Sequence, residues 1–342
     1  SSLKPAVAVP AASAVSAVPK SVVISNPKKI YWPQEKYTKG DMIDYYKSIS
    51  PWLLPYLKNR PVVLTRFPDG IDGKSFYQKD APEFFPDWIR TVPIWSNDTQ
   101  RDVRYFVADD VETIEYLANM GSIPLHIWNS RVGSLELPDW CVIDLDPKEA
   151  PFSDVIRTAI ALRKVCESIA LPSYVKTTGK TGLHIFVPIR RTLDFDAARH
   201  VSELVGRHLV GLHPKDITVE WSIPKRTGKI FMDYNMNVRG KTLNVAYSPR
   251  GAPGAPVSMP LTWEELASAH PLDFRITNVP ARLAKSGDRW KDALTRKQHR
   301  RGQPCVLAES VSAKASRRST AACPSAAELT RSEKSSEAST PV

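Results

Sequence analysis

The sequence predicts an α+β (mixed α/β) fold, and three observations predict it. Short β-branched or apolar runs bounded by Pro, Gly, Asn or Asp recur along the chain. Longer stretches with apolar residues at helical spacing lie between them, and no segment repeats. The stretch around which the rest is organised is Trp140-Cys141-Val142-Ile143-Asp144-Leu145-Asp146-Pro147. Its front half reads as a strand, bounded by Pro138 and Pro147. Side chains alternate along a strand, so Asp144 and Asp146 point the same way, about 7 Å apart, while Ile143 and Leu145 turn into the core. Two carboxylates so placed repel each other unless a cation lies between them. A solvated strand end would look the same.

In chain order, residues 1–20 are Ala/Val/Pro/Ser-rich and read as a flexible tail or linker. Residues 21–302 form the expected folded domain, and 303–342 read as a disordered basic Ser/Ala-rich tail. A strand is expected at 21–24, followed by an Asn-Pro turn at Asn26-Pro27. Thr38 is an N-cap with Asp41 in the first turn, and Met42, Ile43, Tyr45 and Tyr46 supply the apolar face of its helix. Strands follow at 61–66 and 75–79, separated by the turn pair Asp69-Gly70 and Asp72-Gly73. Residues 111–120 make a short helix ended by Gly121.

Beyond the Asp-rich strand, 153–169 is a helix by its apolar spacing. Strands at 173–177 and 183–187 flank the loop from Gly179 to Gly182, and 196–209 is another helix. Further strands at 217–221 and 229–234 are joined by the polar turn 224–228. A Pro/Gly-rich loop spans 249–260, and Thr262-x-x-Glu265 is a capping box.

The net charge of +11 is unevenly placed: residues 281–342 hold 13 Lys/Arg and 6 Asp/Glu, the other 280 hold 34 and 30. A basic tail binds polyanions without specificity, so the total says little about the folded part. Four scattered cysteines with no Cys-x-x-Cys pair argue against zinc and disulfides and fit a reducing cytoplasm. No apolar run approaches the ~18 residues that a membrane span needs, so no membrane partner is expected.

A third acid, Asp233, ends the apolar run Ile230-Phe231-Met232 much as Asp144 ends its own, so a neighbouring strand can bring it to the pair. Three carboxylates without nearby Cys suit Mg²⁺ or Mn²⁺ rather than zinc, and two such ions clamp the oxygens of a phosphoryl or nucleotidyl transfer. The loop Thr178-Gly179-Lys180-Thr181-Gly182 can wrap phosphate oxygens. It is no P-loop: the first glycine of that motif falls on Tyr174, and the strand at 183–187, carrying His184, follows instead of a helix. His126 lies between apolar residues and by itself reads as a core histidine. Phe76 and Tyr77 point to opposite faces of their strand, as core residues or as a platform for stacking bases. Lys28, Lys29, Lys36 and Lys39 form a basic group suited to phosphate or to solvent.

Taken in order, Asp-Leu-Asp-Pro at 144–147, the Thr-Gly-Lys-Thr-Gly-Leu-His loop at 178–184 and Phe-Met-Asp-Tyr at 231–234 form a set. Tyr247-Ser248-Pro249-Arg250 and Gly254-Ala255-Pro256-Val257-Ser258-Met259-Pro260 extend it, as do Ser25 to Pro33 and Ser75 to Lys79. This set resembles the polymerase domain of bacterial ATP-dependent DNA ligase D, in the archaeo-eukaryotic primase superfamily, over about residues 21–300.

The resemblance implies a primase-like core of two α/β subdomains with the active site between them. It implies Asp144, Asp146 and Asp233 as ligands of two Mn²⁺ or Mg²⁺ ions. Thr178, Lys180, His184, Arg250 and His126 would hold the incoming NTP or dNTP. Lys29 and Lys39 would grip the 5′-phosphate beyond a gap, and Phe76 and Tyr77 would meet the templating base. The implied activity is template-directed addition of nucleotides, ribonucleotides readily, to 3′-hydroxyl ends at gaps or breaks. The implied setting is bacterial non-homologous end joining, nucleoid-associated, with Ku and an ATP-dependent ligase as partners. Departures are visible: the loop lysine falls one place early at Lys180, and Arg250-Gly251-Ala252 lacks the second arginine of an Arg-x-Arg. Two other readings stand beside this one: a primase that needs no primer, and an end-binding module with a weakened polymerase site, which these departures motivate. No Lys-x-Asp-Gly ligase nucleophile occurs in the sequence.

Overall fold

The computed structural model describes residues 20–294. But for Lys20, the tails expected over 1–20 and 303–342 lie outside the described residues.

The strand expected at 21–24 does not form. Among the described residues no ladder partner meets this segment; the Asn119 side chain holds it instead, accepting from Ser25 N at 3.0 Å and donating to Val23 O at 3.0 Å. The first pairing is between β1 (Ile30–Trp32) and β2 (Tyr37–Thr38), which are antiparallel. Thr38 then opens α1 (Lys39–Leu57) with a reciprocal capping box, its hydroxyl accepting from Asp41 N and its own N–H donating to the Asp41 carboxylate. Met42, Ile43, Tyr46, Ile49 and Leu53 bury the inner face of this helix.

The first large sheet comes from β3 (Pro61–Arg66), β4 (Phe76–Gln78), β5 (Thr91–Ser96), β6 (Arg101–Val107) and β7 (Ser122–Trp128), with α2 (Val111–Asn119) between the last two. The β5–β6 hairpin escapes a sequence reading because Pro93 interrupts its alternation. The structure tolerates that proline because β5 is the sheet edge, where an N–H can be spared. β7 escapes for the opposite reason: all seven residues are buried, so no alternation shows.

The second sheet uses β8 (Trp140–Pro147), β9 (Tyr174–Thr177), β10 (Leu183–Pro188), β11 (Ile217–Thr218) and β12 (Ile230–Asp233). Helices α3 (Phe152–Ser168) and α4 (Phe195–Leu212) pack on β8. Cys141 Sγ donates to Ala198 O in α4, while Ile143 and Leu145 are buried on that same helix-covered side. β13 (Thr242–Asn244) returns to the first sheet and β14 (Pro260–Leu261) to the second, before α5 (Trp263–Leu266) and α6 (Val279–Ser286). The orders are β13-β7-β3-β6-β5, with β4 on β3, and β11-β12-β8-β10-β9-β14.

One connection differs from the expected hairpin. β11 is only two residues long and pairs with β12 in parallel, and parallel neighbours cannot be joined by a tight turn. Residues 219–229 therefore make an excursion that includes a 3₁₀ turn at Ile223–Arg226.

A buried charge cluster ties the sheets together. Arg60, at the foot of β3, is fully buried; it donates to Asn129 O at 2.9 Å, to the Asp139 carboxylate before β8, and stacks 4.1 Å over the Trp140 ring. Arg131 and Arg191 also pair with Asp139. Among the described residues no helix is long and apolar enough to cross a membrane.

Candidate functional site

Strand register assembles the site. Asp233 on β12 lies opposite Asp144 on β8, Asp144 lies opposite His184 on β10, and His184 lies opposite Lys176 on β9. Residues directly opposite share a face at roughly 5 Å spacing, so Asp233, Asp144, His184 and Lys176 form one row across four strands. Asp146, two residues beyond Asp144, joins that face opposite Phe231. The neighbouring strand thus brings the third acid to the pair, as its sequence position suggests. His184 Nε2 is 3.5 Å from Asp144 Oδ1, and its Nδ1 is buried without a hydrogen-bond partner.

The acids open onto a cleft of about 230 Å³ lined by Asp144, Asp146, Asp233, Trp221, Arg226 and Phe231. Partial burial, then Asp144 and Asp233, raise the Asp146 pKa against the opposing pull of Arg226. Burial and Asp144 also raise Asp233, although Asn235 N donates to its carboxylate at 2.8 Å. Negative charge in the cleft is therefore incompletely compensated by the protein.

The donor set is all carboxylate oxygen, which fits a hard divalent cation. Among the described residues no three His, Cys, Asp or Glu side chains form a ready-made metal cage.

The Thr178 loop closes on its own hydroxyl, which accepts from Lys180 N and Gly182 N, each at 3.2 Å. Two glycines are required here. Gly179 has φ +74°, and a Cβ on it would lie 2.6 Å from Arg250 Cγ; a Cβ on Gly182 would strike the Leu145 carbonyl between the two β8 acids. The loop is thereby pressed against both Arg250 and the acidic strand. Lys180 is exposed at its tip.

The first sheet supplies the facing wall. His126 on β7 hydrogen-bonds Thr65 on β3 through Nε2 at 3.2 Å, and its ring centroid is 5.9 Å from that of Tyr77. Burial, then Arg250, Lys176 and His184, push the His126 pKa down to about 3. His184 is likewise lowered to about 4, by burial and Lys176 against the pull of Asp144. Both imidazoles are neutral at pH 7. Phe76 and Tyr77 are 45 % and 69 % exposed, so neither is a core residue. Tyr77 faces His126, while Phe76 on the opposite strand face carries the Arg66 guanidinium 5.2 Å from its ring centroid.

Lys29 and Lys39 form a second group at the start of α1. Lys29 Nζ pairs with Asp69 at 2.5 Å, and the buried Lys39 Nζ donates to Ser25 O at 2.7 Å and Ser25 Oγ at 2.9 Å. Burial, with Lys29 and Arg66 nearby, lowers the Lys39 pKa.

Sequence reasoning overlooked Lys176 and Arg226. Arg226 reads as one of several turn cations, yet its guanidinium stacks 3.4 Å over Phe231 at the mouth of the acidic cleft. Lys176 reads as a routine polar residue of a strand. Its signal was positional: it is two residues before Thr178, on the strand that leads into the glycine loop.

A family model described as the LigD primase-polymerase domain matches residues 38–290. The bifunctional non-homologous end joining protein LigD of Bacillus subtilis is 31% identical over 262 residues, covering 76% of this chain and 42% of its own length. The multifunctional non-homologous end joining protein LigD of Pseudomonas aeruginosa is 32% identical over 288 residues, covering 82% of this chain and 34% of its own length. The chain thus spans less than half the length of these curated relatives. In overall fold it is similar to the polymerase domain from Mycobacterium tuberculosis ligase D in complex with DNA, with a TM-score of 0.76 at 24% identity, over 81% of this chain and 99% of that one.

Proposed function

Since the chain belongs to the LigD primase-polymerase domain family, we propose that it is a nucleotidyltransferase that extends 3′-hydroxyl ends of DNA at gaps or breaks during non-homologous end joining. It copies a template where one is present and accepts ribonucleotides readily. The observation that carries this reading is the cross-strand row in which Asp144 is flanked by Asp233 and His184, with Asp146 on the same face.

Asp144, Asp146 and Asp233 would hold two divalent ions, Mn²⁺ or Mg²⁺. When bound, such ions lower the pKa of an attacking hydroxyl and neutralise the leaving pyrophosphate. The chain's own groups do the rest. Asp233, at the outer end of the row beside the open cleft, is the acid assigned to the primer terminus. Thr178 spends its oxygen lone pairs on the loop backbone and keeps its proton for a phosphate oxygen. Arg250 meets the triphosphate from the far side of the same loop, and Lys180 from its tip. His184 has Nδ1 free for the bound nucleotide, and the neutral His126, held by Thr65, contacts it from the facing sheet.

Tyr77 and Phe76 offer their exposed rings to the templating base and its neighbour. Lys29 and Lys39 take the 5′-phosphate beyond the gap, with Lys29 exchanging Asp69 for that phosphate. Ku and an ATP-dependent ligase are the proposed partners, acting at the bacterial nucleoid in the cytoplasm.

The test is incorporation of labelled nucleotide into gapped DNA with Mn²⁺, with and without a primer and a downstream 5′-phosphate. The expected result is primer-dependent extension stimulated by the phosphate. No incorporation on any substrate overturns the reading, and equal synthesis without a primer replaces it with a primase.

A further inference from the structure

Lys176 is fully buried, and among the described residues its Nζ donates to a single acceptor, the hydroxyl of Ser258. That hydroxyl passes its own proton to Thr177 O at 2.8 Å, and Ser258 N donates to Ser248 O at 3.0 Å. Residues 248 and 258 bracket the segment that carries Arg250, whose N–H in turn donates to Pro256 O at 2.8 Å. The Lys176 side chain therefore fastens the Arg250 segment to β9, two residues before Thr178.

Its surroundings oppose its charge: burial, then Arg250, hold the Lys176 pKa well below the ordinary amine value against the pull of Asp144. Among the described residues no carboxylate lies within ion-pair distance of Nζ. His184 is its cross-strand neighbour on β10, the Phe186 ring centroid is 5.9 Å away, and Arg250 opposes it from the loop. Asp144, the nearest attracting charge, is two strands off. Burying an ammonium costs several kcal/mol, and a methionine would fill the same volume without that cost. An amine kept here on those terms fits an anion that arrives from outside.

We propose that Lys176 is a positioning residue for the polyphosphate of the incoming nucleotide. It holds the Arg250 segment against the Thr178 loop through Ser258, and its amine stands at the buried end of the cross-strand row, where an arriving polyanion favours the protonated form. This rests on the nucleotidyl-transfer reading above.

The test compares the wild-type chain with Lys176→Met and Ser258→Ala. Three quantities are measured: KM and kcat for nucleotide on gapped DNA, binding of inorganic tripolyphosphate by calorimetry, and thermal melting. Lys176→Met is expected to raise KM about tenfold and weaken tripolyphosphate by a similar factor, with kcat within about threefold, as for loss of uniform binding. Melting is expected to stay level or rise, because a buried ionisable group is gone. Ser258→Ala should give a smaller rise in KM, and it decides the matter if Lys176→Met does not fold. Unchanged KM and tripolyphosphate affinity in the folded variants overturn the proposal, as does a fall in melting temperature with KM intact. If the wild-type chain binds tripolyphosphate through Lys176 yet incorporates no nucleotide, the positioning role stands and the transfer reading falls.

Discussion

Nε2 of His184 lies 3.5 Å from Oδ1 of Asp144, across the antiparallel register of β10 and β8. The central acid of the row therefore has a neutral imidazole on one side and a second carboxylate, Asp233, on the other. This asymmetry separates a carboxylate-rich end, towards Asp233 and Asp146, from an end towards Lys176 and the glycine loop.

The acids come first. Asp144→Ala or Asp146→Ala is expected to reduce primer extension by at least about a thousandfold, since each removes one of the carboxylates proposed to hold the ions. Duplex affinity in a gel-shift assay should stay within about threefold, because neither acid is a phosphate contact. Retained extension in both variants would sink the assignment.

Gly179→Ala tests the loop. A side chain there is strained at φ +74° and collides with Arg250 Cγ. The variant should destabilise the fold by about 1 kcal/mol or more and raise KM for nucleotide together with it. A normal KM would show that the stacking of Arg250 on the loop is irrelevant to substrate.

The exposed aromatics separate by face. Tyr77→Ala should weaken binding to gapped DNA by about 1–3 kcal/mol, the value of one stacked base, with little change in melting temperature. The substitution removes a ring that is 69 % exposed and leaves the core intact. Equal affinities of variant and wild type by fluorescence anisotropy would remove Tyr77 from the template contact.

For the 5′-phosphate, Lys29→Ala should abolish the stimulation given by a downstream phosphate and lower the salt slope of gapped-DNA binding by about one. The Asp69 partner is exposed, so this change should leave stability alone. An undiminished phosphate effect would reassign the site.

Acid should loosen the junction of the sheets. Burial raises the Asp139 carboxyl, but Arg60, Arg191 and Arg131 outweigh it and hold its pKa well below the usual range. A depressed folded value means the stabilisation is complete above the unfolded pKa of about 4 and is lost as pH falls through the folded value. Denaturant midpoints should therefore drop below about pH 4, and Asp139→Asn should flatten that dependence. Arg60→Met, which breaks the buried pair from the other side, should cost about 3–5 kcal/mol. An unchanged midpoint in Arg60→Met would exclude a role for the cluster in stability.

Much of this site is visible in the linear sequence because its parts are local. Asp144 and Asp146 advertise themselves by strand alternation, and Gly179 and Gly182 by their spacing. Asp233 shows only as an acid ending an apolar run; its place beside Asp144 depends on β12 pairing with β8 rather than with β11 alone. Burial hides other parts. β7 has no alternation, and Lys176 looks like any polar strand residue until its neighbours are known. The strand expected at 21–24 fails because a β-branched run forms a strand only where an edge accepts it, and here a side-chain amide does so instead. The parallel pairing of β11 with β12 was likewise invisible, since a polar turn between two apolar runs reads as a hairpin.

β13 and β14 have a consequence for how the chain is made. Each sheet contains a late strand: β13 flanks β7 in the first, and β14 completes the edge of the second. A nascent chain halted before residue 242 would carry β7, buried along its whole length in the finished fold, as a bare edge open to intermolecular pairing. Both sheets receive their last strand from residues 242–261, so neither has its full complement of strands until that stretch has left the ribosome.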